Sequence, residues 1–485
     1  MTASCDTLIR NALIIDGSGS APYTGNVALH QGRIVAIGTL EHWRAPVDMD
    51  ASGLVLCPGF IDVHTHDDTN VIRTPQMWPK LSQGVTTVVV GNCGISAAPV
   101  TLRGAEPPDP MNLLGTADVF SYPTFGSYVD AVNAAQPAVN VAALVGHTAL
   151  RQNHMQSLGR AATEAEINAM RGQLEDALVN GALGLSTGLA YANAYAAPTS
   201  EVIALAQPLA DAGAIYTTHL RSEFAEILDA MDEAFATGRQ ARVPVVISHL
   251  KCAGKANWGR TREVLAALDN ARITQPVGCD CYPYAASSST LDLKQVTSDF
   301  DILITWSEPH PEQGGKLLAD IAAEWQLSLL NAAERLQPAG AVYHGMSEAD
   351  VQNVLRHPAT AIGSDGLPND PLPHPRLWGA FPRVLGFYCR EQKLFDLPTA
   401  VHKMTGLSAA RFGLTERGLV RQGYWADLVL FDPNTVRDTA TFTEPQQAAE
   451  GICAVWVNGQ LSAQDKQATG ARAGRFLKRG RVGTV

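Results

Sequence analysis

Short apolar runs rich in β-branched residues recur along the chain, and each stops at a polar or metal-capable residue. In order they are GFIDVHTH (59–66), TTVVVGNC (86–93), NVAALVGH (140–147), GALGLSTG (181–188), AIYTTHL (214–220), VPVVISHL (243–250), VGCDCYPY (277–284) and TAIGSDG (360–366). Such runs are typical of strands buried on both faces, as in a parallel sheet. The pattern therefore predicts eight parallel strands.

Several of these strands are separated by amphipathic helical patterns, such as TEAEINAMRGQLEDALVNG and TREVLAALDNARI. Eight alternations of strand and helix are the signature of a (β/α)8 barrel of the TIM type. The active site of such a barrel lies at the carboxyl ends of its strands. The polar residues that end the predicted strands fall at that face.

The flanks of the barrel have a different pattern, with short strand-like pieces broken by glycine. We predict a small β-sandwich domain built from residues 1–57 and 417–485, with the barrel at 58–416 between them. The stretch at about 285–358 is too long for a normal connection, so we expect an ordered, lid-like insertion. The polar segment after about 462 is expected to be a loose surface tail.

Composition narrows the functional classes. The chain has 36 Lys+Arg against 47 Asp+Glu and a net charge of −11, which argues against nucleic acid or an anionic membrane as a partner. No signal peptide and no apolar stretch that could span a bilayer is visible. The eight cysteines are scattered and are typical of reduced thiols in a cytoplasmic protein. We expect a small-molecule substrate, and the sequence does not indicate an oligomeric state.

The strand ends offer a set of metal ligands. His64 and His66 lie on one face of a strand because side chains alternate with period two. Cys93, His219, His249 and Asp365 end other strands. Each residue alone could be structural, but together they indicate a metal site, and thiolate with imidazole favours Zn²⁺ over Mg²⁺ or Ca²⁺. Asp365 is the carboxylate expected as general acid/base, because it ends a strand near this set.

The strings PGFIDVHTHDD, GNCGIS, THLRSE, SHLK and GSDG resemble the amidohydrolase superfamily, and STGLAY, HPR and GAFPRVLG resemble its N-acyl-D-amino-acid deacylase branch. The resemblance runs from about residue 5 to 460. It implies a tightly bound zinc held by Cys93, His219 and His249. It also implies a second, weaker metal site formed by His64 and His66 with Cys93 as a bridge.

The resemblance further implies residues that bind the substrate. The α-carboxylate is expected to meet Arg376, Lys251, Tyr282 and Ser288, and Tyr191 or His147 is expected to stabilise the oxyanion. Hydantoinase-like and dihydroorotase-like relatives carry a carboxylated lysine at the end of the fourth strand. This chain has Ser186 and Thr187 there, which disfavours a cyclic amidase.

The preferred side chain of the substrate is a separate question. Gln295 stands roughly where acidic-substrate relatives carry an arginine, so we expect neutral or hydrophobic D-amino acids. Lys294 beside it keeps N-acyl-D-glutamate or N-acyl-D-aspartate open. The rival functions are a dihydroorotase- or hydantoinase-type cyclic amidase, a catalytically silent binding barrel, and a serine or cysteine hydrolase.

Overall fold

The central part of the chain is a closed barrel of parallel strands in a computed structural model that describes residues 3–480. Its strands are Phe60–Asp62, Val85–Val90, Asn140–Ala143 continued by Val145–Gly146, Gly184–Gly188, Ile215–His219, Val245–Ile247, Val277–Cys281 and Thr360–Ile362. Each pairs in parallel with the next along the chain. A parallel bridge between Thr65 and Gly366 closes the ring. The barrel predicted from the sequence is confirmed.

The barrel strands are buried on both faces, which explains their near-continuous apolar sequences. In the second strand, Val89 packs inside the barrel with Val63 and Leu144. Its neighbours Val88 and Val90 pack outward in the large layer beneath the helices. Period-two alternation therefore divides each strand between an inner core and an outer core.

Helices cover the outside of the barrel and also follow its strand ends. The α-helices outside the 285–346 stretch are Asn70–Arg73, Trp78–Leu81, Phe125–Ala135, His147–His154, Glu164–Val179, Ala192–Tyr195, Thr199–Ala206, Pro208–Ala212, Ile227–Ala241, Thr261–Arg272, Glu348–Arg356, Arg376–Arg383, Leu397–Met404 and Gly406–Phe412. A π-helical segment spans Val384–Glu391, and 3₁₀ turns span Met111–Leu114, Ala117–Val119 and Lys255–Asn257. The helix Glu164–Val179 begins with a capping box between Thr163 and Glu166, which satisfies backbone N–H groups at its start.

Strands from both chain ends share one hydrogen-bonded path. They are Thr7–Ile14, Tyr23–His30, Arg33–Gly38, Val47–Asp50, Val55–Pro58, Leu428–Phe431, Ile452–Val457, Gln460–Gln464 and Gln467–Ala468, beside the short pair Ala3–Ser4 and Trp43–Arg44. Antiparallel pairing of Val55–Pro58 with Leu428–Phe431 joins the two ends. Their apolar side chains form a separate core that includes Ile9, Leu56 and Trp456.

The long stretch after the seventh barrel strand is ordered. It contains the strands Ser287–Thr290, Ile302–Ser307 and Ala339–Tyr343, the helices Leu318–Trp325 and Leu329–Leu336, and 3₁₀ turns at Leu293–Gln295 and Pro311–Gln313. The three strands form an antiparallel sheet with its own apolar core. The following helix, Glu348–Arg356, packs against the barrel helix Thr261–Arg272 and the eighth barrel strand.

The segment expected to be a loose tail is bonded to the barrel instead. Phe476 forms a parallel bridge with Val141, and the N–H of Leu477 donates to the carbonyl of Val141 at 2.7 Å. The N–H of Gly480 donates to the carbonyl of Gly413. Within residues 3–480, no helix combines the length and the apolar character that a bilayer crossing needs.

Candidate metal centre

The predicted ligands lie on the floor of a large cavity at the carboxyl ends of the barrel strands. The cavity has a volume of about 1510 Å³, and its floor includes His66, His219, His249 and Asp365. Residues 287–295 of the insertion form part of its wall. The insertion therefore contributes directly to the space that a substrate would occupy.

The thiol of Cys93 lies at the centre of the imidazoles. Its Sγ is 3.2 Å from His64 Nε2 and 3.3 Å from His249 Nε2. The His66 ring lies beside the His64 ring, with centroids 5.6 Å apart. The His219 ring stands edge-on to the His249 ring, with centroids 4.5 Å apart. The structure thus brings the five predicted nitrogen and sulfur ligands together.

A tight turn aims the thiol into the barrel. Cys93 has a left-handed backbone with φ of 53°, and Gly94 follows with φ of 77°. A Cβ on Gly94 would lie 2.6 Å from the backbone nitrogen of Gly188, so only glycine fits there. The Ser186 hydroxyl holds the turn on both sides, since it accepts from the Gly94 N–H and donates to the Gly91 carbonyl.

The electrostatics of the cluster are strongly coupled. Burial raises the pKa of the Cys93 thiol, but the imidazoles of His64 and His249 lower it well below its ordinary value. Burial lowers the pKa of His66, whereas its contacts with Asp365 and Cys93 raise that pKa to about 9. The lowered pKa of Cys93 favours the thiolate, which is the form of cysteine that binds metals.

Two carboxylates that the sequence analysis did not assign hold metal-ligand imidazoles from behind. Asp280 Oδ1 is 3.2 Å from His64 Nδ1, and Glu223 Oε1 is 2.9 Å from His249 Nδ1. Such carboxylate–histidine contacts orient ligand rings in metal sites. The sequence held a signal for one of them, because period two turns Asp280 inward between the outward-facing Cys279 and Cys281.

Asp365 lies between the imidazoles and a buried arginine. Its Oδ1 is 3.2 Å from His66 Nε2, and its Oδ2 is 2.9 Å from Arg376 Nη2. Burial raises the pKa of Asp365, but Arg376 and His64 lower it well below its ordinary value. Arg376 stacks on the Tyr282 ring, 4.6 Å from its centroid. Arg376 and Tyr282 are buried, and neither is among the described residues that line the cavity.

The other predicted substrate residues divide into two groups. Tyr191, Lys251 and Ser288 line the cavity. His147 lies elsewhere, because it starts a helix and its Nε2 is 3.0 Å from Glu201 Oε1. Within the described range 3–480, His147 is not among the cavity-lining residues.

A buried lysine supports the first strand end. Lys80 is fully buried, and its Nζ is 2.7 Å from Asp62 Oδ2 and 3.2 Å from Asp67 Oδ2. It also donates to the hydroxyls of Thr65 and Ser364. This network fixes the backbone on both sides of His64–Thr65–His66 and ties that segment to the end of the eighth strand.

The donor set fits a transition-metal cation. A sulfur and a nitrogen at Zn–S and Zn–N bond lengths in tetrahedral geometry are about 3.5 Å apart. The observed separations from Cys93 Sγ to His64 and His249 are 3.2 and 3.3 Å, within a few tenths of an ångström of that spacing. His64, Cys93, His249 and Asp365 form one compact group of potential ligands, and His219, Glu223 and His249 form a second. Soft thiolate with imidazole excludes Mg²⁺ and Ca²⁺ as preferred occupants.

A parallel barrel with thiolate, imidazole and carboxylate ligands at its strand ends defines a metal-dependent hydrolase. Comparison with known proteins agrees. The chain belongs to the amidohydrolase family, which residues 49–463 match. It is 51% identical over 480 residues to N-acyl-D-aspartate deacylase of Alcaligenes xylosoxydans xylosoxydans, covering 99% of this chain and 96% of that one. It is 50% identical over 474 residues to D-aminoacylase of the same organism, covering 98% of each.

Solved structures show the same relationship. A crystal structure of D-aminoacylase superposes with a TM-score of 0.96 at 49% identity, covering 98% of this chain and all of that one. N-acyl-D-glutamate deacylase from Bordetella bronchiseptica, complexed with zinc and a phosphonate inhibitor, superposes with a TM-score of 0.94 at 45% identity and the same coverage. The predicted family, its barrel with a β-rich domain and its metal dependence are confirmed.

Proposed function

We propose that this enzyme hydrolyses the amide bond of N-acyl-D-amino acids to a carboxylate and a free D-amino acid. Zinc is the proposed cofactor, held tightly by Cys93, His219 and His249. A second, weaker site would use His64 and His66 with Cys93 as the bridge. Relatives at 50–51% identity that are deacylases of this kind support linear amides over cyclic ones, and an enzyme over a silent barrel.

One observation carries the proposal: a thiol surrounded by imidazoles lies beside the carboxylate of Asp365 on the floor of a substrate-sized cavity. A bound divalent cation there would lower the pKa of water and polarise the amide carbonyl. Asp365 accepts the proton of the attacking water and returns it to the leaving nitrogen. Its contact with His66 keeps Oδ1 at the ligand cluster, where that water must arrive.

Buried donors without partners support recognition of the α-carboxylate. Among the described residues, Arg376 Nε and Nη1 and the Ser288 hydroxyl are buried and have no hydrogen-bond partner. Lys251 adds an ammonium at the cavity surface. A guanidinium and an ammonium are the groups that bind carboxylates most strongly in proteins. Tyr191, whose ring packs 4.9 Å from that of His219, is the proposed donor to the amide oxygen.

For the substrate side chain, we propose a preference for neutral or hydrophobic D-amino acids. An acidic substrate carries a second carboxylate in its side chain, which would need a cation, and the uncharged Gln295 lines the cavity at the expected position. One observation favours an acidic substrate instead. Lys294 also lines the cavity, its Nζ lies 5.4 Å from the Tyr195 ring centroid, and no carboxylate among residues 3–480 pairs with it. N-acyl-D-aspartate or N-acyl-D-glutamate is therefore the second candidate substrate.

The proposal is tested by zinc quantification together with kinetics on matched N-acetyl-D and N-acetyl-L amino acids. We expect near-stoichiometric zinc, hydrolysis of D-isomers only, and a higher kcat/KM for N-acetyl-D-leucine than for N-acetyl-D-glutamate. Turnover confined to L-isomers, or to a hydantoin ring, would overturn the assignment. A strong preference for the acidic substrate would establish the second candidate in place of the first.

A further inference from the structure

One carboxylate oxygen of Glu223 contacts two neighbouring side chains. Its Oε1 is 2.9 Å from His249 Nδ1 and 2.5 Å from Lys251 Nζ. The residue is 8% exposed, so these interactions are largely shielded from water. One of the two neighbours is a predicted metal ligand, and the other is a predicted cation for the substrate carboxylate. A single carboxylate oxygen thus joins the two halves of the site.

The backbone holds this arrangement in place. Glu223 lies in the loop that follows the fifth barrel strand, and its carbonyl accepts a hydrogen bond from the Ala253 N–H at 2.8 Å. This bond ties that loop to the one following the sixth strand, which carries His249 and Lys251. Lys251 Nζ also donates to the His249 carbonyl at 3.0 Å. The three side chains are therefore fixed relative to each other.

A metal bound to His249 would determine which of its nitrogens carries the proton. Its Nε2 faces Cys93 Sγ at 3.3 Å, so Nε2 is the nitrogen available to a metal and must have a free lone pair. The proton then resides on Nδ1, which donates to Glu223. Lys251 Nζ is only 2.8 Å from the same Nδ1 and can only donate. Without Glu223, Lys251 would donate to Nδ1 and favour the tautomer with a proton on Nε2.

We infer that Glu223 is a positioning residue with a double role. It keeps His249 in the tautomer that binds metal, and it gives the Lys251 ammonium an acceptor in place of the protonated Nδ1. A carboxylate behind a ligand histidine fixes its tautomer in other metal sites. What is particular here is that the ammonium competing for Nδ1 belongs to the substrate-binding set. Both halves rest on the proposed function: the substrate half on the proposed substrate carboxylate, and the metal half on the proposed zinc site.

The inference is tested with Glu223→Met, Lys251→Met and the double variant, and Glu263→Gln on an exposed helix surface is the matched control. Zinc affinity is measured by competition with a chromogenic chelator, without substrate. We expect Glu223→Met to weaken zinc binding by about 10–100-fold, as loss of such a partner does. Lys251→Met should leave zinc affinity within about threefold and raise KM with little change in kcat.

The double variant removes the competing donor as well, so it should bind zinc more tightly than Glu223→Met alone. Because Glu223→Met also leaves the buried Lys251 ammonium unpaired, damage to the fold alone would give the same order. The free energy of unfolding of each zinc-free variant is therefore measured in parallel; a purely structural role requires zinc affinity to follow stability, whereas the proposed role predicts a loss of zinc affinity in Glu223→Met at unchanged stability. If Glu223→Met does not fold, Glu223→Gln replaces it. That variant keeps an acceptor oxygen but no charge, so it should weaken zinc binding less than tenfold while raising KM.

Two results would overturn the inference: wild-type zinc affinity in Glu223→Met, or a double variant that binds no tighter than that single variant. For the replacement, wild-type zinc affinity and wild-type KM together would do the same. Failure of the proposed function looks different. In that case the wild type would not hydrolyse N-acyl-D-amino acids, while the order of zinc affinities among the variants would still decide the role of Glu223.

Discussion

Replacing Asp365 by asparagine tests the chemistry of the site most directly. The change keeps the size of the side chain and an oxygen that can accept from Arg376 Nη2, which lies 2.9 Å from the carboxylate. What it removes is the ability to take up a proton. The same carboxylate lies 3.2 Å from His66 Nε2 and 3.4 Å from His64 Nε2. Among residues 3–480, it is the carboxylate that contacts both of these imidazoles.

The expected loss follows from that position. A side chain that moves a proton in the transition state contributes about 10²–10⁴-fold to the rate, or about 2.7–5.4 kcal/mol. The proposed metal ligands Cys93, His219 and His249 remain, so the metal should stay bound. KM should change little, because Arg376 Nε and Nη1 remain available for the substrate carboxylate. The loss should therefore be concentrated in kcat.

The assay is steady-state hydrolysis of an N-acetyl-D-amino acid by Asp365→Asn, with the metal content of the same sample measured in parallel. Asp269→Asn on the exposed face of the helix Thr261–Arg272 is the control and should retain wild-type kcat. If Asp365→Asn kept more than about a tenth of the wild-type kcat with metal retained, the proton-transfer role would be refuted.

Three further outcomes are expected. Arg376→Ala should raise KM about 10–100-fold, because charge-assisted hydrogen bonds contribute about 1.5–3 kcal/mol; an unchanged KM in steady-state assays would remove it from the site. Lys80→Met should lower stability by about 3–5 kcal/mol by leaving Asp62 and Asp67 unpaired, and equal denaturation midpoints would contradict this. Lys294→Ala should reduce kcat/KM for N-acetyl-D-glutamate up to about fivefold and leave N-acetyl-D-leucine unchanged, since exposed pairs contribute about 0.2–1 kcal/mol. Equal effects on both substrates would exclude a role in side-chain recognition.

The barrel was predictable because its signal is local and repeated. Each strand is a short apolar run that is buried in the inner and the outer core. Such a run can be recognised in the sequence even when the contacts of its side chains are unknown. The attachment of the C-terminal segment was not predictable. Its bonds to Val141 and Gly413 are made by backbone groups, which leave no mark on residue type. Polarity alone suggested a loose tail, although a polar segment can bind through its peptide groups.

The cluster of candidate metal ligands was predictable for a similar reason, since each of these residues ends a strand run. His147 ends a run in the same way, but the third strand stops at Gly146 and His147 begins a helix, so its ring meets Glu201 instead. Glu223 and Lys251 were harder to connect. They lie 28 residues apart on two loops, and only the folded structure brings their charges to 2.5 Å. Strand periodicity places residues on a barrel, whereas loop contacts across it depend on the complete fold.

Backbone strain marks the site independently of residue chemistry. Cys93, His249 and Asp365 adopt left-handed conformations with φ of 53°, 36° and 50°. Non-glycine residues incur about 1–2 kcal/mol each in that region, so the three together cost about 3–6 kcal/mol, a large share of the net stability of a typical domain. Glycine would relieve the cost at every one of these positions and would supply no ligand. Twelve other described non-glycine residues also have positive φ, but these three follow three different barrel strands and their side chains meet at one point, which is expected where chemistry rather than folding decides the residue.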